Sequence, residues 1–152
     1  MNECLFCKIA KGEAPCHKIW ENEDFLAFLS IFPNTEGSSI VIPKRHYSSY
    51  AFDLPQDVLC HLMLAAKEVS LLIDAKLEDV GRCGLVLEGF GVDHVHAKIF
   101  PMHGLAKLTK WQPLQSHQNK YFEKYEGYIS SHDYIRADDK ELERLADKIR
   151  RN

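Results

Sequence analysis

His94 and His96 stand two residues apart in "DHVHAKIF", Asp93 to Phe100, and Lys98 follows at the same step. On a β-strand alternate side chains share a face. These three then point one way, while Val95, Ala97 and Ile99 point toward a core, which pins the register. Two imidazoles and an ammonium make a face suited to an anion such as phosphate. A neutral imidazole is a competent nucleophile toward phosphorus near neutral pH, because its unperturbed pKa is about 6.5. One ring nitrogen attacks while the other donates its N–H to an acceptor that holds the tautomer. Lys98 would offset charge on the bound or departing phosphate. The bland alternative is an exposed sheet face with two idle histidines.

A second candidate group opens the chain. "CLFC" places Cys4 and Cys7 at the C-x-x-C spacing that lets two thiolates hold one metal. A thioredoxin-like pair would start a helix after a strand, and "FCKIAKGEAP" lacks that context. Zinc needs two more ligands, usually Cys or His. The five cysteines are an odd number and do not form a disulfide framework. Cys60 and Cys83 read as small apolar residues.

Several elements must position these groups. "HKIW" (His17 to Trp20) and "FLAFLS" (Phe25 to Ser30) flank the polar "ENED" and predict a β-hairpin. Ser38 to Lys44 reads as a third strand. Pro55 precedes a helix whose apolar stripe is Val58, Leu62, Ala65, Val69, Leu72 and Ile73. Gly84 to Gly89 is a fourth strand and "HVHAKIF" a fifth, and the short link between them predicts antiparallel pairing. A tyrosine-rich segment, containing His132, wraps over the body. "DDKELERLADKIRRN" is a closing helix, capped by Asp138 with Glu141 at the capping-box spacing, and apolar at Leu142, Leu145, Ala146 and Ile149. The order predicts an α+β fold: an antiparallel sheet of about five strands, one long helix on one face, and a C-terminal helix. The other face stays open for a ligand or a partner subunit.

The bulk properties agree. A chain of 152 residues forms one domain with a sizeable core. The core spans about residues 4–103 and an extension covers 104–152. Apolar residues make up 45% and charged residues 27%, and net charge is -3, values of an ordinary soluble protein. No basic excess argues for nucleic-acid binding. No apolar run reaches the roughly 20 residues that span a bilayer, and the N-terminus lacks a signal-peptide core. The expected location is cytoplasmic.

Taken together, "HVHAKIF" after a strand, "IVIPKRH" in the first half and "CLFCKIAKGEAP" at the start resemble the histidine triad (HIT) superfamily. The resemblance covers roughly residues 4 to 103. It implies an α+β domain, a homodimer, and hydrolysis or transfer of nucleotidyl groups from nucleoside phosphoramidates or dinucleoside polyphosphates. It implies that His96, the central histidine of the motif, is the nucleophile and forms a nucleotidyl-histidine. In the zinc-carrying branch the remaining metal ligands correspond to His46 and His94, completing Cys4, Cys7, His46, His94 as a closed, structural set. Lys98 stands where the family has its third histidine. Phe90 and Gly91 stand in the phosphate-contacting loop. Ser30 stands at a ribose-contacting position usually held by Asp, and Leu87 replaces an Asn. Ile31 and Phe32 fall in the base pocket. His103, past Pro101, is a candidate to swing back as the missing acid, or else an ordinary surface histidine. The tyrosine-rich tail is a candidate to cover a partner's site, or else packs over a sheet edge.

The implied ligands are a nucleotide, structural zinc and a second copy of the chain, with no nucleic acid and no membrane. Two other readings stay open. The altered motif would suit a nucleotide-binding sensor or interaction module with little hydrolysis. A redox protein using Cys4 and Cys7 would instead show a reversible disulfide and no zinc.

Overall fold

The computed structural model describes residues 4–105, 111–117, 119–127, 129 and 135–150. Five strands form one antiparallel sheet: β1 (Lys18–Glu21), β2 (Phe25–Leu29), β3 (Ser39–Pro43), β4 (Cys83–Val86) and β5 (Ala97–Pro101), in the spatial order β1-β2-β3-β5-β4. Three helices are present among the described residues, α1 (Leu5–Lys11), α2 (Gln56–Lys76) and α3 (Asp139–Arg150), with a 3-10 turn at Ala51–Asp53. The α+β class follows the sequence reading. The hairpin between β1 and β2 closes on Asn22, whose Oδ1 accepts from the amides of Asp24 at 3.0 Å and Phe25 at 2.7 Å. That local bond makes Asn22 a turn former.

The core divides between the two faces of the sheet. On one face α2 lays Leu62, Ala65, Val69 and Ile73 against Ala27, Leu29, Val41, Val95, Ala97 and Ile99. α3 adds Leu142, Ala146 and Ile149 to the same cluster. Its N-terminus is capped as expected: Asp138 Oδ1 accepts from the amides of Lys140 at 3.0 Å and Glu141 at 3.1 Å. Cys60, read as a small apolar residue, is exposed. It lies two residues from Leu62, about 200° around the helix, so its side points to solvent.

The second face differs from the expectation of an open surface. α1 covers part of it, packing Phe6 and Ile9 against Leu26, Phe28 and Ile42. Burying a side chain such as Phe6 stabilises by about 1.5–3 kcal/mol. Both faces of β2 are covered, and every residue from Phe25 to Leu29 is buried.

The first three strands differ from the expected bounds by one residue at one or both ends, and the last two shift more. The fourth strand is Cys83–Val86 rather than Gly84–Gly89, and the fifth begins at Ala97 rather than His94. β3 pairs with β5 only through Ser39 to Val41. Beyond that, Pro43 has no N–H to donate, and its carbonyl accepts from the His94 ring at 2.8 Å. A side chain thus replaces the ladder. The alternation nonetheless holds, because Val95, Ala97 and Ile99 lie in the α2-side core.

Candidate functional site

α1 exists because Phe6 and Ile9 have a surface to bury and Gly12 ends the helix in the left-handed region, at φ 77°. Cys4 precedes its first residue and Cys7 lies within it, three apart and on one side. Both thiols face histidines brought from elsewhere. His94 Nδ1 lies 3.5 Å from Cys4 Sγ and 3.6 Å from Cys7 Sγ, and His46 Nδ1 lies 3.4 Å from Cys7 Sγ. All four ligand atoms lie within 4.8 Å of one another. Zinc bonds of about 2.3 Å to sulfur and 2.0–2.1 Å to nitrogen make a tetrahedron with edges of about 3.3–3.8 Å. The donor set and its spacing therefore fit that ion. His94 is fully buried and donates Nε2–H to Pro43 O, which turns Nδ1 toward the thiols. Burial pushes the His94 pKa down, against the pull of the Pro43 bond, and the neighbouring His46 and His96 reinforce the drop. The neutral ring is the form that ligates metal.

His96 follows two residues later and is 3% exposed. Its Nδ1 donates to the carbonyl of His94 at 2.7 Å. That bond selects the tautomer whose lone pair is on Nε2. The Phe6 ring meets His96 edge-on, with centroids 5.3 Å apart. One phenylalanine of α1 thus braces the motif, while Cys4 just before that helix and Cys7 within it flank His94.

Lys98 is 5% exposed and pairs with Glu88 through Nζ and Oε1. The other carboxylate oxygen, Oε2, accepts the Phe90 amide at 3.0 Å. Burial raises the Glu88 pKa, but the Lys98 hydrogen bond, the Phe90 amide and the nearby positive charge outweigh it, leaving the carboxyl below its ordinary value. The motif face is therefore buried, and its lysine has a counter-ion that the sequence reading missed. A charge on a core strand demands a partner, which was a signal to look for one in "LEG".

The loop carrying Glu88 and Phe90 is tied to the chain after β3. Asp93 Oδ1 accepts the Ser49 amide at 2.9 Å, and Val95 N–H donates to Tyr47 O at 3.0 Å. Gly89 sits at φ 70°, and a Cβ there would fall 2.6 Å from Ser49 O. No other residue fits without moving one of the two segments.

These groups open into a cavity of about 900 Å³, within the range of small-molecule sites. Its lining includes Ser30, Ile31, Phe32, Phe90, Gly91, His96 and Lys98, so seven of the residues singled out for substrate or catalysis converge. Phe6 and Phe28 supply apolar wall, and His17, Arg136, Asp139 and Glu143 a polar one. The sequence reading did not foresee either wall. Ser30 Oγ accepts the Phe32 amide at 3.2 Å. His103 is not in the lining. Its ring nitrogens engage Asp79 at 2.9 Å and the Glu36 carbonyl at 2.8 Å, beyond the far end of β5. The Glu36 bond and Asp79 raise its pKa. Of the tyrosine-rich tail, Tyr125 stacks on Phe90 at 5.5 Å in the same chain, and His132 lies outside the described residues.

Comparison with known proteins agrees with this arrangement. The HIT domain model matches residues 11–105. An uncharacterized HIT-like protein of Methanocaldococcus jannaschii is 36% identical over 104 residues, 66% of this chain and 79% of that protein. An adenosine 5'-monophosphoramidase of Schizosaccharomyces pombe is 37% identical over 99 residues, 64% of this chain and 73% of that protein. A Zn-bound histidine triad family protein of Mycobacterium smegmatis shares the fold with a TM-score of 0.68 at 21% identity, over 97% of this chain and 91% of that one. A match over most of the sheet, carrying the paired histidines with it, means that this chain belongs to the HIT domain family.

Proposed function

We propose that the protein hydrolyses or transfers nucleotidyl groups at the α-phosphate of nucleoside phosphoramidates or dinucleoside polyphosphates, with His96 as nucleophile. The observation that carries this reading is the bond from His96 Nδ1 to His94 O, which leaves the lone pair on Nε2 of a residue lining the cavity. Nε2 attacks phosphorus and the bond from phosphorus to the leaving nitrogen or oxygen breaks. The leaving group departs with a proton drawn from water. The Nδ1–H bond to the His94 carbonyl then supports the positive ring of the nucleotidyl-histidine. Water attacks the same phosphorus, the P–N bond breaks, and neutral His96 returns.

Lys98 holds charge at the phosphate end. Ser30, Ile31, Phe32, Phe90 and Gly91 frame the nucleotide. Cys4, Cys7, His46 and His94 would hold a structural zinc, which supplies rigidity rather than bond-breaking chemistry. His94 ties that metal to the strand of the nucleophile. The same reading places the protein in the cytoplasm as a homodimer, and among the described residues no helix is long and apolar enough to cross a membrane.

The test is turnover of adenosine 5'-phosphoramidate. His96→Ala should lower kcat/KM by at least about a thousandfold, the scale of a lost nucleophile, with an unchanged melting curve. Retained turnover removes His96 from the mechanism. One observation favours a second reading: Glu88 already matches the charge of Lys98, so the phosphate meets less net positive charge. A nucleotide-binding module would bind mononucleotides equally with and without the His96 ring and turn nothing over.

A further inference from the structure

Behind Lys98 stands a carboxylate that the proposed chemistry does not use. Val86 on β4 faces Lys98 on β5 across the ladder, and Glu88 follows Val86 by two residues, the step that returns an extended chain to the same face. β5 lies between β3 and β4, so Lys98 has no sheet edge over which to reach solvent. Its ammonium meets Glu88 instead. The carboxylate is not held by Lys98 alone. The chain turns at Gly89, with φ 70°, and brings the Phe90 amide back to Glu88 Oε2 at 3.0 Å. Glu88 therefore keeps its place when a ligand competes for Lys98.

The rest of the cavity adds no surplus of positive charge. Among the described residues its lining cations are Lys98 and Arg136, and its lining carboxylates are Asp139 and Glu143. Arg136 forks onto both oxygens of Asp139 at 2.9 and 3.0 Å. With Glu88 behind Lys98, two cations stand against three carboxylates. Burial raises the Glu88 pKa, but the Lys98 hydrogen bond and the Phe90 amide outweigh it, and positive charge on Lys98 and His96 lowers it further. Glu88 is therefore ionised at neutral pH, and its field extends to the His96 ring. A phosphate oxygen bonded to Lys98 Nζ lies about 5 Å from this carboxylate, two hydrogen-bond lengths across one ammonium.

We propose that Glu88 is a specificity-determining residue: it cancels the charge of Lys98, so that the site selects phosphoryl donors by the charge of the group beyond the α-phosphate, taking leaving groups without negative charge and rejecting polyphosphates. The inference rests on the reading of His96 as nucleophile and Lys98 as phosphate contact, and it narrows the substrate range of that reading. The α-phosphate of such a donor carries a single negative charge. Lys98 meets it directly, while Glu88 stands one ammonium farther away. Each additional charge on the ligand meets Lys98 and Glu88 at similar distances, and their fields cancel. At an effective dielectric constant of about 20, two unit charges within about 10 Å change an equilibrium constant by more than about tenfold. Loss of the cancellation is therefore measurable. When attractive contacts are common to all ligands, a repulsive element is what separates them.

The experiment measures affinity by calorimetry, on the full chain without magnesium, for adenosine 5'-methylphosphate, AMP and ADP, which carry about one, two and three negative charges. In wild type the affinity should stay level or fall along the series. Glu88→Gln keeps the shape of the side chain and should raise the affinity for ADP relative to the methylphosphate by about tenfold or more. Lys98→Met should lower that ratio, and Lys98→Met/Glu88→Leu, which restores the balance, should return it toward wild type. Structural damage weakens all three ligands alike and leaves the ratio unmoved. A ratio within about twofold of wild type in Glu88→Gln overturns the proposal, and so does a wild-type affinity that rises about tenfold along the series. If Glu88→Gln does not fold, judged by circular dichroism, Lys98→Met and the double variant decide, since they differ only at Glu88: equal ratios in the two overturn the proposal. An unmoved ratio together with His96-dependent turnover removes the role of Glu88 and spares the proposed function. Absence of binding by all three ligands removes both.

Discussion

Lys98→Met isolates one of the least expected features of the site. The Lys98 side chain is 6% exposed and the Glu88 side chain 2%. Removing one partner of such a buried pair costs about 3–5 kcal/mol, because the other charge stays in a poor solvent. Glu88 keeps the Phe90 amide, so Lys98→Met belongs at the lower end, about 3 kcal/mol. Glu88→Leu strands the ammonium, but Lys98 borders the cavity and water reaches it there, so the cost is similar or smaller. The double variant Lys98→Met/Glu88→Leu strands neither charge and should lie within about 1.5 kcal/mol of wild type. Urea unfolding followed by circular dichroism, at fixed protein and zinc concentration, gives all four stabilities. The dependence on acid is fixed in sign. The Glu88 carboxyl titrates lower when folded than when unfolded, so its stabilisation is present above the unfolded pKa and is lost as pH falls through the folded one. The stability of wild type relative to the double variant should therefore fall in that acid window. If Lys98→Met costs under about 1 kcal/mol, or the two single costs simply add, the pair is not the buried unit described here.

Two further outcomes follow from the same geometry. Purified protein should carry close to one zinc per chain by metal analysis, and Cys4→Ser/Cys7→Ser should lose it and melt at lower temperature; metal-free wild type from zinc-replete medium would contradict the donor geometry. Gly89→Ala combines a φ of 70° with a Cβ 2.6 Å from Ser49 O. It should destabilise by more than about 1 kcal/mol and weaken nucleotide binding by moving Phe90, both visible in melting and calorimetry, whereas wild-type values for both would mean that the loop has room.

Much of the fold is legible because its signals are local. The stripe Leu62, Ala65, Val69, Ile73 repeats with the helix, and Val95, Ala97, Ile99 alternate with the strand. Each pattern needs only one surface to pack on. α1 is harder to read, since seven residues offer only Phe6 and Ile9 to the core and a helix that short gains little from propensity. It forms where Leu26, Phe28 and Ile42 await it. The site divides the same way. His96 stands out through its motif spacing, and Ser30, Ile31 and Phe32 through the family resemblance; all four line the cavity. Glu88 pairs with Lys98 across ten residues of loop and strand, and Asp139 meets His17 across 122 positions. Such partners leave no periodic trace. For His103 two readings stand side by side, a returning acid and a surface histidine; in the structure it lies beyond Pro101, with its ring held by Asp79 and the Glu36 carbonyl.

His94 joins the candidate metal site to the proposed nucleophile within one short segment. Its Nδ1 faces the thiols, its Nε2 holds Pro43, and its carbonyl accepts the Nδ1 proton of His96. A metal bound by Nδ1 would restrain ring and backbone together. That restraint reaches His96 through a single carbonyl, which sets both its tautomer and its orientation. An exposed strand edge supplies no such restraint, because its carbonyls exchange freely with water. Under the proposed mechanism the burial of the motif face is thus a requirement, and the Glu88–Lys98 pair is the electrostatic condition under which a lysine can stand in that buried row.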